Sequence, residues 1–292
     1  MKKNFKLFCF GFGQVAKKFV ENLIKNDFNF DLVTTNTSKT TVKKFKGKKH
    51  KSFFFKDREF DKNLIKELIL SNKVLISISP KNKEDVTLRN FNKTFKKNKF
   101  DWVTYLSATS VYGDKKGKWV NEKIKPNPTS RRGKYRLKAE SQWLECFKKF
   151  NLPVQIFRLS GIYSTKNNAI NRLKKGALKI VKKKNHFFSR IHVDDIARVL
   201  TISVKKIKAG EIFNISDNYP CANIEIAKYA ANLIKVKHPK EVKIQNIKNK
   251  MLIEFYKDSK KVDNKKMKNF FKYKLKYPTY KEGLLAIKNQ LI

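Results

Sequence analysis

Acidic residues are scarce in this chain. Its 292 residues include 24 Asp and Glu against 69 Lys and Arg, a formal net charge of +45. Cysteine is rare too. Cys9, Cys146 and Cys221 are odd in number and far apart, which excludes a disulfide framework and suits a reducing cytoplasm. His50, His186 and His238 are isolated, and with no H-x-x-x-H spacing or carboxylate cluster no metal site is expected. No apolar run approaches the ~20 residues of a membrane-spanning helix. The N-terminus is basic, but its apolar run is broken by Lys6 and followed by a glycine turn, so it does not read as a signal peptide. Repeats and low-complexity linkers are also missing. The expectation is a cytoplasmic protein without a membrane contact.

Such a positive charge suggests attraction to nucleic acid or an anionic membrane. Its distribution argues otherwise. Lysine is spread over nearly every segment, as at Lys17, Lys18, Lys148 and Lys149, and no basic tail stands apart. Lysine filling solvated faces accounts for the number, and dedicated nucleic-acid binding is the lesser reading.

Apolar residues make up 40% of the chain, with 24 Phe and 10 Tyr, so a folded core is expected. The apolar run Phe5–Phe10 reads as a strand that ends at Gly11-Phe12-Gly13-Gln14-Val15-Ala16. A helical stripe of Val15, Phe19, Leu23 and Ile24 follows over residues 14–26. Strand, glycine turn and helix form the G-x-G-x-x-A dinucleotide fingerprint. Gly11 makes the turn, Gly13 admits a pyrophosphate, and Ala16 lets the helix pack on the strand. The helix N-terminus offers amides and partial positive charge to the phosphates.

Next come a strand at Phe30–Thr35, a short strand at Lys51–Phe55, a helix at 62–70 and a strand at Lys73–Ser79 ending at Pro80. A helix at 83–98 and a strand at Trp102–Ser107 follow. This alternation predicts an α/β fold, a Rossmann-type doubly wound parallel sheet with a smaller C-terminal substrate lobe. Residues 1–163, with about 190–217, would form the dinucleotide-binding domain, and 164–189 with 218–292 the lobe. Helices are expected there at about 222–234, 259–269 and 280–290. Ligands of such sheets sit at the strand carboxyl ends, so Thr35, Asn36, Thr37, Ser38, Ser77 and Pro80 join Gly11–Ala16 as cofactor candidates. At the end of the second strand an acidic residue would hold an NAD ribose. Residues 35–39 carry none, and hydroxyls with Lys39 suit a 2′-phosphate, so NADP is preferred over NAD.

Leu106-Ser107-Ala108-Thr109-Ser110-Val111-Tyr112-Gly113 resembles the S-[SA]-[ST]-x-V-Y-G pattern of the extended short-chain dehydrogenase/reductase family, the epimerase/dehydratase-like group. Phe157–Tyr163, Arg190–Ala197, Glu211–Asp217 and Tyr277–Leu284 resemble its later segments, in the right order across the whole chain. The resemblance implies a small-molecule substrate, nucleotide-sugar-like, and allows a homo-oligomer. It also implies a Ser or Thr that orients the substrate oxygen and a Tyr-x-x-x-Lys pair, in which the Tyr is the acid/base and the Lys lowers its pKa. Ala108, Arg132 and Arg136 stand at those three places. Arginine cannot exchange a proton near neutral pH.

The chain therefore resembles atypical members that keep the dinucleotide fold and lose the catalytic set. Thr109, Tyr135 and Lys138 are weak substitutes, and Tyr135 and Lys138 sit at i,i+3 rather than i,i+4 spacing. Arg132 and Arg136 suit holding an anion. His192, Asp194 and Asp195, just before an amphipathic helix, read as its N-terminal cap. Three readings stand: an NADP-dependent oxidoreductase or epimerase-like enzyme with a non-standard acid/base, a catalytically silent redox sensor or scaffold, and an electrostatic nucleic-acid binder.

Overall fold

The computed structural model describes residues 4–81, 83–176, 178, 180–181, 183, 185–247 and 250–290; residues 291 and 292, the end of the expected lobe, lie outside them. Two compact units form. The first comprises Met1–Ala108, Lys134–Arg158 and Ile196–Phe213, the second Thr109–Gly133, Leu159–Asp195 and Asn214–Ile292.

The first unit runs through β1 (Phe5–Phe10), α1 (Gln14–Lys25), β2 (Phe30–Asn36), β3 (Thr41–Phe45), β4 (Lys48–Lys56), β5 (Glu59–Phe60) and α2 (Asn63–Ile69). It continues with β6 (Lys73–Ile76), α3 (Val86–Lys97) and β7 (Trp102–Ala108). After β8 (Trp119–Val120), a strand of the second unit, the chain returns through α4 (Arg131–Phe150) and β9 (Val154–Leu159). The sheet order is Ile212–Ile215, β9, β7, β6, β1, β2, β4, β3, with β5 on β4. β1 pairs in parallel with both β2 and β6, β2 with β4, and β6 with β7. The chain thus builds outward one way from β1 and then the other way from β6. The fold is the doubly wound α/β sheet, and its order reverses between β1 and β6.

Local chemistry explains the elements. β1, β7 and β9 are rich in apolar residues and are buried along nearly their whole length, as strands covered by helices must be. α1 buries Val15, Ala16, Phe19, Val20 and Leu23 along one stripe. α3 starts where the Asp85 carboxylate accepts the amides of Thr87 and Leu88, both at 3.0 Å. The core is built of rings: Phe10 lies 5.4 Å from Phe91, and Phe95 meets Trp143 edge to face at 5.0 Å.

The expected short strand at Lys51–Phe55 is the longer β4, paired antiparallel with an unforeseen β3. Lys46 and Gly47, at φ 49° and 84°, make the two-residue turn whose twist a hairpin needs. β3 is the open edge of the sheet, and its exposed Lys43 and Lys44 oppose edge-to-edge pairing beside Val42.

One charged cluster is sealed inside this unit. The Arg158 guanidinium of β9 donates to the Glu140 carboxylate of α4 through Nε at 3.1 and 3.2 Å and Nη2 at 2.6 Å. The Ser107 hydroxyl of β7 donates to the same carboxylate at 2.5 Å. All three residues are 2% exposed or less.

In the second unit, helices Ala169–Lys174, Asn223–Leu233 and Tyr280–Asn289 share a core with Ile170, Ala230 and Leu284. The helices expected at 222–234 and 280–290 are found. The third begins later, at Lys265, because Lys261–Val262 pair with β8 as a strand. Gly283 is required by packing, since a Cβ there would meet the Tyr163 phenol oxygen at 2.1 Å. Asp194 and Asp195 stand in the first turn of helix Val193–Ser203 rather than before it, and with His192 they divide their work otherwise than expected. His192 Nδ1 accepts the Asp194 amide, whereas the Asp195 carboxylate holds the Tyr273 hydroxyl and the Lys276 and Tyr277 amides. Among the described residues no helix is long and apolar enough to cross a membrane.

Removing one member of the sealed cluster should be costly. Arg158→Met leaves the Glu140 carboxylate buried without its cation, and we expect a loss of about 3–5 kcal/mol in urea unfolding. The double change Arg158→Met with Glu140→Leu should recover most of it. Equal losses in the single and double variants would contradict a buried ionic coupling.

Candidate functional site

The candidate site lies at the carboxyl ends of β1, β2, β6 and β7, where the sheet order reverses. Gly11 has φ +82°, and an added Cβ would lie 2.7 Å from Ile78 Cγ2 and 2.9 Å from Ser77 Oγ. Only glycine fits. The Gly11 amide donates to Thr35 Oγ1 at 2.8 Å. Ser77 donates its amide to the Phe10 carbonyl at 2.9 Å and its hydroxyl to the carbonyls of Phe10 and Gly11 at 2.9 and 3.1 Å. The turn is therefore tied to both neighbouring strands.

Gly13 stands at the N-cap position of α1 in an extended conformation, and the Lys17 amide donates to its carbonyl at 2.9 Å. It is exposed, and a Cβ built on it would meet nothing within 4 Å. No acidic side chain stands in the first turn of α1. Ala16 is fully buried, closing the helix onto the sheet. Open space over an unshielded helix N-terminus fits a pyrophosphate.

The β2 end divides into supports and exposed groups. Thr35 is buried under the turn that it holds. Asn36 Nδ2 donates to Ser52 and to the Lys39 carbonyl, while its Oδ1 accepts the Ser38 amide at 2.8 Å. The side chains of Thr37, Ser38 and Lys39 are exposed on the loop so fixed. Asp31 pairs with Lys6 at the opposite end of the strand. Pro80 is half-buried after β6.

Arg136 reaches the same strand ends. Its guanidinium donates to the Leu106 carbonyl of β7 at 2.8 Å and to Ser79 Oγ, beyond β6, at 2.9 Å. Tyr135 is half-buried and Lys138 exposed, and neither side chain is hydrogen-bonded or ion-paired among the described residues. Ala108 closes β7. Tyr105, which the sequence did not single out, is buried on β7; burial pushes its phenol far up, with Asp85 adding to the rise, so it stays protonated. Thr109 and Arg132 belong to the second unit, where Thr109 opens a 3-10 turn to Tyr112 and Arg132 is exposed.

The second unit contains a cavity of about 210 Å³ lined by His186, Phe188, Asn223, Tyr256 and Lys183 among others. His186 stacks on Tyr256 at 5.3 Å and meets Phe188 edge to face at 4.5 Å. Burial, with help from Lys183, pushes the imidazole down to about 4, so it is neutral at physiological pH. Asn223 donates to the Tyr256 hydroxyl at 2.8 Å and accepts from the Arg190 guanidinium. Nothing in the spacing of these residues advertised the cavity, because they come from four separate segments. Among the described residues no cluster of three or more metal-ligating side chains occurs.

Residues 86–216 match the NAD dependent epimerase/dehydratase family. This stretch, just under half of the chain, resembles the epimerase/dehydratase family. It contains Arg136, the sealed Glu140–Arg158 pair and Asp194-Asp195, and lies downstream of the glycine turn. A dTDP-D-glucose 4,6-dehydratase of Dictyostelium discoideum is 27% identical over 162 residues, 48% of this chain and 36% of that protein. The chain thus aligns with about a third of that relative's length. A functionally unknown conserved protein from Silicibacter pomeroyi DSS has a structure with TM-score 0.84 and 29% identity, covering 98% of this chain and 99% of that one. A UDP-glucuronic acid 4-epimerase from Bacillus cereus, in complex with UDP-glucuronic acid and NAD, shares the fold. Its TM-score is 0.78 and its identity 18%, over 98% of this chain and 100% of that one.

Just beyond the matched stretch, burial raises the Asp217 carboxyl to about 8; Asp195 adds to the rise, while the Tyr219 amide and Arg190 oppose it. A carboxyl that holds its proton in the folded state stabilises below its unfolded value near 4, and this contribution fades as pH rises through 8. The melting temperature should therefore fall between about pH 4 and pH 8, and Asp217→Asn should flatten that fall. An unchanged slope in the variant would assign the pH dependence to other groups.

Proposed function

We propose that the chain binds a nicotinamide dinucleotide over Gly11–Ala16, with NADP favoured over NAD. We further propose that it acts as an oxidoreductase or epimerase-like enzyme on a carbonyl or hydroxyl group of a nucleotide-sugar-like substrate. The observation that carries the reading is the glycine turn at the point where the sheet order reverses, with open space over Gly13. Gly13 and the first turn of α1 would take the pyrophosphate, and Thr37, Ser38 and Lys39 the ribose and its 2′-phosphate. Thr35, Asn36 and Ser77 position that surface from beneath. The bound cofactor would supply hydride transfer.

The residues here cannot supply the family's usual proton step. Arg136 is permanently charged and Tyr105 is locked in its protonated form, so neither exchanges protons near neutral pH. An enzyme built on this site needs another acid/base, for which Tyr135 and Thr109 are the available hydroxyls. The bonds of Arg136 to Leu106 and Ser79 favour a second reading, a dinucleotide-binding protein without turnover.

Gly13→Val offers a clean test. Its Cβ has room, so the melting temperature should stay within about 2 °C while binding of NADPH and NADH is lost. Lys39→Glu should reverse the preference from NADPH to NADH, on the order of tenfold, in calorimetric titration. If neither dinucleotide binds the parent chain below the millimolar range, the proposal fails. With cofactor bound, a change in nicotinamide absorbance on adding carbonyl or nucleotide-sugar compounds supports the enzyme; its absence across a broad panel supports the silent binder.

A further inference from the structure

β3 stands at the end of the sheet order, with β4 on one side and, among the described residues, no strand on the other. The Lys46-Gly47 turn closes a two-residue hairpin, which makes Phe45 and Lys48 a bonded pair. Antiparallel pairs alternate between bonded and non-bonded. Lys43–His50 and Thr41–Ser52 are therefore bonded, and Val42–Lys51 and Lys44–Lys49 are not. The backbone amides and carbonyls of Val42 and Lys44 thus point away from β4, toward the open edge. The Thr41 hydroxyl donates to the Val42 carbonyl at 3.3 Å and leaves that oxygen its second lone pair. The Val42 side chain is 67% exposed.

Charge on this edge is unmatched as well. Residues 39–51 hold seven lysines and no Asp or Glu. Lys48 donates to the Phe30 carbonyl at 2.6 Å, and Lys51 lies over the Phe53 ring at 4.8 Å. The ammonium groups of Lys39, Lys43, Lys44, Lys46 and Lys49 have no hydrogen bond, ion pair or ring contact among the described residues. Lys44 stands opposite Lys49, so two like charges sit side by side.

We propose that β3 accepts an acidic extended segment of a partner protein as one further antiparallel strand. Main-chain bonds to Val42 and Lys44 would hold the segment, and its side chains would select it. Running antiparallel, it meets Phe45, Lys44, Lys43, Val42 and Thr41 in turn. The fitting order is therefore apolar, acidic, acidic, apolar, hydroxyl. The first carboxylate continues the row from Lys49 through Lys44, and the second faces Lys43. A second copy of this chain would bring the same lysines face to face. Nucleic acid would satisfy the ammonium groups and leave the backbone edge unused.

The test is fluorescence anisotropy of the full chain with the labelled, end-blocked peptide Thr-Val-Glu-Glu-Val-Thr. Saturable binding is expected, weaker by about tenfold when both Glu are replaced by Gln. Methylating the backbone nitrogens of the first Glu and the second Val removes two edge bonds and keeps the charge. Affinity should then drop by about tenfold or more. Lys44→Glu should weaken the acidic peptide about tenfold. Val42→Pro spares the bonds to β4, because the Val42 amide faces outward and an edge strand tolerates proline there. Its melting temperature should stay within about 3 °C of the parent while peptide binding is lost. Absence of saturable binding would overturn the proposal. Full affinity for the N-methylated peptide, or parent-like binding by folded Val42→Pro, would overturn it too and make the hairpin a contact for polyanions such as nucleic acid.

Discussion

The carboxylate of Glu140 sets the geometry of the first unit because it cannot be buried alone. A charge in that interior needs a cation and its remaining lone pairs need donors, and here β9 supplies Arg158 and β7 supplies Ser107. Meeting both requirements fixes the rotation of α4 about its axis. Ala139 and Trp143, both fully buried, then face the sheet. Arg136, one turn before Glu140, is carried to the Leu106 carbonyl and Ser79. The Arg136 side chain thus owes its direction to an ion pair on the next turn.

The glycine turn depends on the sheet in the same way. Gly11 has a positive φ because Ile78 and Ser77 leave no room for a side chain, and those residues stand there because β6 pairs with β1. Thr35 completes the arrangement from β2. Cofactor candidates read from the sequence as equals therefore separate into two groups. Thr35, Asn36 and Ser77 spend their polar atoms on the protein, whereas Gly13, Thr37, Ser38 and Lys39 face outward. Burial and hydrogen bonding make that distinction, and spacing alone does not carry it.

The α/β alternation was legible because apolar runs and amphipathic stripes report burial directly, as in β1, α1, β2, β6 and β7. β3 was not. It is the open edge, and Thr41-Val42-Lys43-Lys44-Phe45 carries the lysines of an exposed strand rather than the apolar pattern of a covered one. The strand Lys261–Val262 was hidden for a related reason: two residues show no period, and their pairing with β8 is a long-range fact. The Asp195 contacts likewise join residues about eighty positions apart, which a local capping argument cannot reach. Sequence reasoning found the glycine turn between β1 and α1, whose geometry is local. It missed the ring-lined cavity of the second unit, whose walls meet only on folding.

The arginine at position 136 gains a physical meaning from these contacts. A lysine at position 136 would bring a single ammonium on a flexible stem, free to serve a ligand or a neighbouring phenol. The arginine brings a rigid planar fork, and the fork bridges two neutral acceptors on adjacent strand ends, Leu106 O and Ser79 Oγ. Its charge stays at the site while its donors are committed to the fold. The turn at Gly11 does not depend on that fork, because its contacts come from β1, β2 and the residues after β6. The glycine turn and the Arg136 bridge are thus two separate arrangements at the same strand ends, one held by Thr35 and Ser77 and the other by Leu106 and Ser79.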